Sequence, residues 1–184
     1  MHSKQTYGKF DKFLHWVMAL NIIATLVFAR GMSGLPGDAK LIEYGDHGLS
    51  VTTIALLLII RIAWRMKEGF PVFPATMRRI EIIGARLMHY GLYIALACQI
   101  LIGVLLASTT DQAFIANGYN IDYSSFGLIA DHYHDRLLSL HIALYWLIVG
   151  LLIFHVMAAL KHHVVDRDNV LRRMLPLVRA NGGQ

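Results

Sequence analysis

Two stretches of twenty-four residues, Leu87–Thr110 and Leu137–Leu160, contain no Asp, Glu, Lys or Arg. Runs of that kind are spanning helices, because the hydrocarbon core of a bilayer takes about 20 apolar residues. Within it only helices and closed barrels satisfy their own backbone. Two shorter runs join them. Phe13–Ala29 has seventeen uncharged residues, and His47–Trp64 is interrupted only by Arg61. Both reach across when their polar ends snorkel toward the headgroups. The fold class expected is therefore all-α, an integral membrane four-helix bundle. Its helices fall over about 12–30, 47–66, 84–108 and 136–163, in one domain covering 1–184.

Composition agrees. Hydrophobic residues make up 56% and charged residues 16%, with a mean hydropathy of +0.50, where a soluble domain carries about a quarter charged residues. The net charge of +5 does not indicate nucleic acid, since the basic residues flank apolar runs instead of forming one face. No cleavable signal peptide is expected: the first apolar run carries His15 and Asn21 and lacks a small-residue cleavage site. The connections are rich in turn formers. GMSGLPGDAK leads to a second helix near Asp46, GFPVFP breaks any helix at its prolines, and the long polar segment Asp111–Asp135 has room for a short surface helix.

Lys and Arg divide unevenly between the two sides. Fourteen fall on the side of the N-terminus, the second loop and the tail (Lys4, Lys9, Lys12, Arg61, Arg65, Lys67, Arg78, Arg79, Arg86, Lys161, Arg167, Arg172, Arg173 and Arg179). Arg30, Lys40 and Arg136 fall on the other. This bias places both termini in the cytoplasm and, in a bacterium, the other side in the periplasm.

Ten histidines in so apolar a chain need explaining. His15 and His89 lie just inside the cytoplasmic ends of helices 1 and 3. His47 opens helix 2 from the outer side. His141 and His155 lie near opposite ends of helix 4, fourteen residues apart. At 3.6 residues per turn that spacing returns to nearly the same face, about 40° away, after a rise of about 21 Å. His162, seven residues further, shares the face, with Ile148 and Ala159 between. His2, His132, His134 and His163 fall in flanks or loops.

Depth then pairs them. His47 is the partner for His141 on the outer side, while His15 and His89 are both available to His155. Two histidines facing across a bundle core can fill both axial positions of a haem iron. A zinc or copper site would want three or four ligands at one depth, and a proton relay would want carboxylates, which the spans lack. Gly48 and Gly91, beside His47 and His89, are expected where a flat macrocycle approaches backbone. Cys98 is the one cysteine and no C-x-x-C-H motif occurs, so any haem is held non-covalently.

Several stretches resemble the bacterial cytochrome b-561 family of four-helix, di-haem inner-membrane cytochromes. They are FLHW at 13–16, DHGLSV at 46–51, RIAWRM followed by P-x-x-P at 61–74, LMHYGLYI at 87–94 and HVMAALKHHVVDRDNVLRRMLP at 155–176. The likeness runs from about residue 6 to 176 and is weakest in the third loop. It implies two haem b groups. His47 and His141 would ligate the outer iron, His15 and His155 the inner one. His89 and His162 would then border a ubiquinone pocket, where a histidine can bond a quinone carbonyl and exchange a proton. For His162 the plainer alternative is capping the carbonyls of its helix end. Arg61, fourteen residues after His47, sits at inner-haem depth to pair with a propionate or with a lipid phosphate.

The functional expectation is electron transfer between the periplasmic side and the ubiquinone pool. Some members of the family look like superoxide oxidases, passing an electron from superoxide to ubiquinone. The outer loops carry Asp38, Glu43, Asp46, Asp111, Asp122, Asp131 and Asp135 against three basic residues, a formal charge of −4, which does not steer an anion inward. The chain is thus expected as a superoxide:quinone oxidoreductase or a pure electron carrier. The alternative is a haem-bearing membrane anchor that relays electrons to or from a periplasmic redox partner.

Overall fold

The structure, a computed structural model, describes residues 6–176. His2, Lys4, Arg179 and the terminal NGGQ lie outside the described residues. Four helices dominate: α1 (Lys9–Ala29), α2 (Gly37–Glu68), α3 (Arg79–Ala107) and α4 (His134–Val164). All four are long and apolar enough to cross a membrane. The fold is all-α, with one small hairpin, β1 (Ile115–Ala116) and β2 (Ile121–Asp122), between α3 and α4.

The helix ends follow from local chemistry. At α1 the Asp11 carboxylate accepts the backbone N–H of Gly8 at 3.2 Å. At α3 Glu81 accepts that of Arg78 at 2.9 Å. Each carboxylate satisfies a donor the first turn leaves open and sits at the positive end of the helix dipole. α2 stops at Gly69, whose φ of +69° is one that glycine adopts freely. Pro71 and Pro74 then keep the connection non-helical, as expected. α4 closes on Lys161, a cation suited to its negative end, followed by His162 and His163.

Two differences from the sequence-based expectation stand out. α2 begins at Gly37, about ten residues before the apolar run. Pro36 takes the position before its first turn, where its fixed φ and missing N–H cost nothing. The connection to α1 shrinks to a single 3-10 turn, Met32–Gly34. The third loop holds no surface α-helix. It holds the hairpin and two 3-10 turns, Ser124–Phe126 and Asp131–Tyr133. The hairpin turn runs through Asn117-Gly118-Tyr119-Asn120, with Gly118 at φ +76° and Asn120 at φ +54°, residue types that tolerate the left-handed region.

That hairpin is docked on α2. A Cβ on Gly48 would lie 2.8 Å from Ala116 Cα, and Asn117 N–H donates to Gly45 O at 3.0 Å. Tyr123 OH meets Thr52 Oγ1 at 2.8 Å. Gly48 therefore admits the hairpin, and Gly91 has no atom within 4 Å of its Cβ direction. A Gly48→Leu variant is expected to lose about 1–3 kcal/mol by overpacking. Gly84→Ala, on an exposed stretch of α3 with open space around it, is expected not to destabilise. Thermal unfolding in detergent compares the two.

α1 packs mainly on α2, and α3 on α4. All four helices meet in one apolar layer of Met18, Ile22, Ile54, Leu58, Ala95, Leu96 and Ile148. Ile148 is 1% exposed. The outward faces are equally apolar: Phe13, Leu20 and Val27 on α1, Leu87, Ile94 and Leu101 on α3, and Ile153, Phe154 and Met157 on α4 are all exposed. Apolar surface on both the inside and the outside of a bundle is the pattern of a lipid-embedded protein.

Candidate functional site

On either side of the Ile148 layer the core is lined by imidazoles. Toward the hairpin end, His47 on α2 faces His141 on α4, with ring centroids 6.5 Å apart. Gln99 on α3 donates its amide N–H to His141 Nε2 at 3.1 Å, so that nitrogen presents a lone pair. His141 Nδ1 is buried and has no hydrogen-bond partner. α3 can come this close because residue 103 is glycine: a Cβ there would sit 3.1 Å from His141 Cε1. The glycine that makes room for the site is thus Gly103, which sequence reasoning missed. Its signal was its position on the face of α3 one turn beyond Gln99.

Toward the other end, His155 on α4 meets two imidazoles. His15 on α1 lies at 6.2 Å and His89 on α3 at 5.6 Å, centroid to centroid. Phe70, from the connection after α2, stacks on His89 at 6.1 Å with planes 26° apart. Arg61 turns inward from α2, with Nη2 3.1 Å from His15 Nδ1 and Nε 3.2 Å from the Tyr93 hydroxyl. It does not reach outward for headgroups. A guanidinium is always a donor, so His15 Nδ1 must be the acceptor and its proton sits on Nε2.

This end of the bundle is tied to the segment following α4. Lys12 Nζ donates to Leu175 O at 2.9 Å and Trp16 Nε1 to Met174 O at 2.9 Å. Arg65 pairs with Asp11 at 3.4 Å and lies over the Tyr7 ring. Burial pushes the Tyr7 phenol above its ordinary range, against the opposing pull of Arg65, so Tyr7 stays neutral. His162 joins neither histidine group. Its Nδ1 lies 2.8 Å from Asp168 Oδ2 and 2.9 Å from Asp166 Oδ2. Sequence reasoning passed over both carboxylates because they fall outside the spans.

At the hairpin end the remaining histidines serve local structure. His134 Nδ1 meets Thr109 Oγ1 at 2.8 Å, and His132 packs on Tyr133. The basic residues there do not form a cluster among the described contacts. Arg30 lies over Trp146, and Lys40 over Tyr44.

Residues 6–177 match the family model of prokaryotic cytochrome b561. The chain belongs to that family. It is accordingly a multi-pass inner-membrane cytochrome that binds b-type haem and works in electron transport. It is 26% identical over 176 residues to Cytochrome b561 homolog 2 of Escherichia coli strain K12, covering 95% of this chain and 93% of that one. Cytochrome b561 homolog 1 of the same organism is 25% identical over 174 residues, covering 92% and 97%. The Probable superoxide oxidase CybB of Yersinia pestis is 27% identical over 191 residues, covering 97% and 99%.

Proposed function

We propose that this cytochrome holds two haem b groups, one between His47 and His141 and one between His15 and His155. It would carry electrons across the membrane between a donor on the periplasmic side and ubiquinone. The observation that carries the reading is the spacing of the facing imidazoles. A metal–imidazole bond of about 2 Å on each side puts coaxial ring centroids about 6 Å apart. The two pairs stand at 6.5 and 6.2 Å. The donor sets also fit: at the hairpin end His141 Nε2 carries a lone pair that now accepts the Gln99 N–H, and at the other end Arg61 beside His15 is a partner for a propionate. Bound there, the haems would supply one-electron carriers on the two sides of the Ile148 layer.

The protein's own part is to insulate and to place. Met18, Ile22, Ile54, Leu58, Leu96 and Ile148 keep water and ions out between the two levels. Those levels are separated by about 21 Å along α4 from its helical rise. The end carrying Lys12, Arg65, Lys67, Arg78, Arg79 and Lys161 faces the cytoplasm in this reading, by the excess of Lys and Arg there. The hairpin end then faces the periplasm. Ubiquinone sits by His89 and His162, which differ in depth by about 10 Å. That figure takes His162 as seven residues beyond His155, and His155 as level with His89.

Superoxide is the donor this reading favours, on the likeness to the Yersinia protein named for that activity. The acidic hairpin end supports a second reading, in which a basic periplasmic redox protein delivers the electron instead. The purified protein is expected to show a b-type α-band in its reduced-minus-oxidised spectrum and two haems per chain. It is expected to reduce a short-chain ubiquinone when superoxide is generated beside it. One haem per chain would end the di-haem reading, and a protein inert to superoxide but reduced by a partner would favour the second donor.

A further inference from the structure

The His162 cluster belongs to neither histidine pair and is built with care. The Asp168 side chain is 3% exposed, although it is a carboxylate. Its Oδ1 accepts the Val170 backbone N–H at 2.9 Å, and its Oδ2 faces His162 Nδ1 at 2.8 Å. The backbone N–H of Asp168 in turn donates to His162 O at 3.0 Å. Asp166, the second carboxylate on Nδ1, is exposed and already paired with Lys161 at 2.7 Å. Lys161 also reaches Glu81 on α3. The three ligand-type groups lie close enough for a metal ion. The Lys161 ammonium on Asp166 opposes a cation there, and hydrogen bonds already account for the arrangement.

We propose that Asp168 is a positioning residue for proton transfer to quinone. It holds the proton of His162 on Nδ1 and leaves Nε2 as the nitrogen that serves the quinone oxygen. This rests on the reading that places ubiquinone beside His162. Nε2 makes no hydrogen bond among the described residues, whereas Nδ1 has two carboxylates. Nδ1 of a histidine held on a carboxylate is the protonated nitrogen, so the tautomer and ring orientation are set before substrate arrives. Two carboxylate oxygens within 2.9 Å offer Nδ1–H an acceptor in both the neutral and the doubly protonated ring.

The chemistry balances. Reducing a quinone to its quinol adds two electrons and two protons, and the reduced cytochrome is the reductant, one electron at a time. In each proton step the Nε2–H bond of imidazolium His162 breaks and an O–H bond forms on the quinone. His162 is left neutral with its remaining proton on Nδ1. A proton taken from water at Nε2 restores the donor, and a second cycle supplies the second proton.

Asp168→Asn is the informative change. If the amide oxygen keeps the Val170 N–H, the amide N–H points at His162 Nδ1 and disfavours the tautomer with its proton there, which Asp166 Oδ2 at 2.9 Å alone then supports. The test uses the full-length, haem-loaded protein, reduced anaerobically and mixed with a short-chain ubiquinone. Haem reoxidation is followed against quinone concentration. In Asp168→Asn the limiting rate is expected to fall about tenfold or more. Half-saturation should stay within about threefold and haem content should be unchanged. Asp168→Glu, which restores the carboxylate, is expected to return to within about threefold of the parent rate. If Asp168→Asn lowers haem content, Asp168→Ser takes its place, since it keeps an acceptor for the Val170 N–H, with the same fall expected. A parent-like limiting rate without the carboxylate, or no recovery in Asp168→Glu, overturns the proposal. His162→Ala tests the reading beneath it. A parent-like rate there removes the quinone from His162 and ends both. A slow His162→Ala beside a parent-like Asp168→Asn ends the role of Asp168 alone.

Discussion

Replacing His141 with Ala is expected to leave one haem per chain instead of two, and replacing His155 with Ala to leave the other one. Each substitution removes one of two facing imidazoles, at 6.5 Å in the first case and 6.2 Å in the second. A haem held non-covalently by two axial histidines has little else to retain it when one is gone. The surviving haems should also be distinguishable. The His47–His141 level is bordered by Gln99 and Gly103, the His15–His155 level by Arg61 and Tyr93. Neighbouring charge and hydrogen bonding shift the spectrum and potential of a haem. Haem extraction with the reduced-minus-oxidised spectrum of each variant checks both points. Unchanged haem content in both variants would break the ligand assignment. Gly103→Leu is a check without touching a ligand. Its side chain would have to enter the space of the His141 imidazole, 3.1 Å from where Cβ begins, so it is expected to reproduce the haem loss of His141→Ala.

Much of this arrangement is legible in the sequence because membrane burial imposes simple rules. Charge-free runs of seventeen to twenty-four residues mark three of the helices, a run interrupted only by Arg61 marks the other, and the fourteen-residue spacing in α4 places His141 and His155 at two levels of one face. What was not legible lies where those rules lapse. The first turns of α2, GDAKLIEYGD, mix charged and apolar residues, because that part of the helix extends past the apolar run. The hairpin escaped notice although Asn117-Gly118 is a strong turn signal, because only docking on Gly45 and Gly48 makes two such short strands persist. Asp166 and Asp168 look like solvated tail residues until the chain folds back to bring them onto His162 Nδ1. Depth alone could not rank His15 against His89, and the distances of 6.2 and 5.6 Å to His155 do not rank them either.

The larger test is therefore at His15 and His89. His15→Ala is expected to lower haem content from two to one per chain, and His89→Ala to keep two while slowing haem reoxidation by quinone. The centroid distances to His155, 6.2 Å for His15 and 5.6 Å for His89, lie either side of the about 6 Å of a bis-imidazole site, so the assignment rests on what borders each ring. An imidazole that binds iron through Nε2 carries its proton on Nδ1 and needs an acceptor there. His89 Nδ1 is buried without a partner, as His141 Nδ1 is, so the orphan nitrogen alone does not exclude a ligand; what sets His89 apart is Phe70 stacked on its ring. That setting suits a flat aromatic ligand lying alongside, and the nitrogen remains open to a quinone oxygen. His15 Nδ1 meets a donor, Arg61, at 3.1 Å. For His15 to ligate through Nε2, Arg61 must give up that bond and find an acceptor, and a haem propionate is one arriving with the same cofactor. Arg61 is thus the group that distinguishes the two states of this end of the bundle. The family resemblance, which pairs His15 with His155, agrees with this division of roles. If His89→Ala were the variant to lose a haem and His15→Ala kept both, the pairing would pass to His89. Arg61 would then be read as a partner of His15 in the protein with haem bound as well.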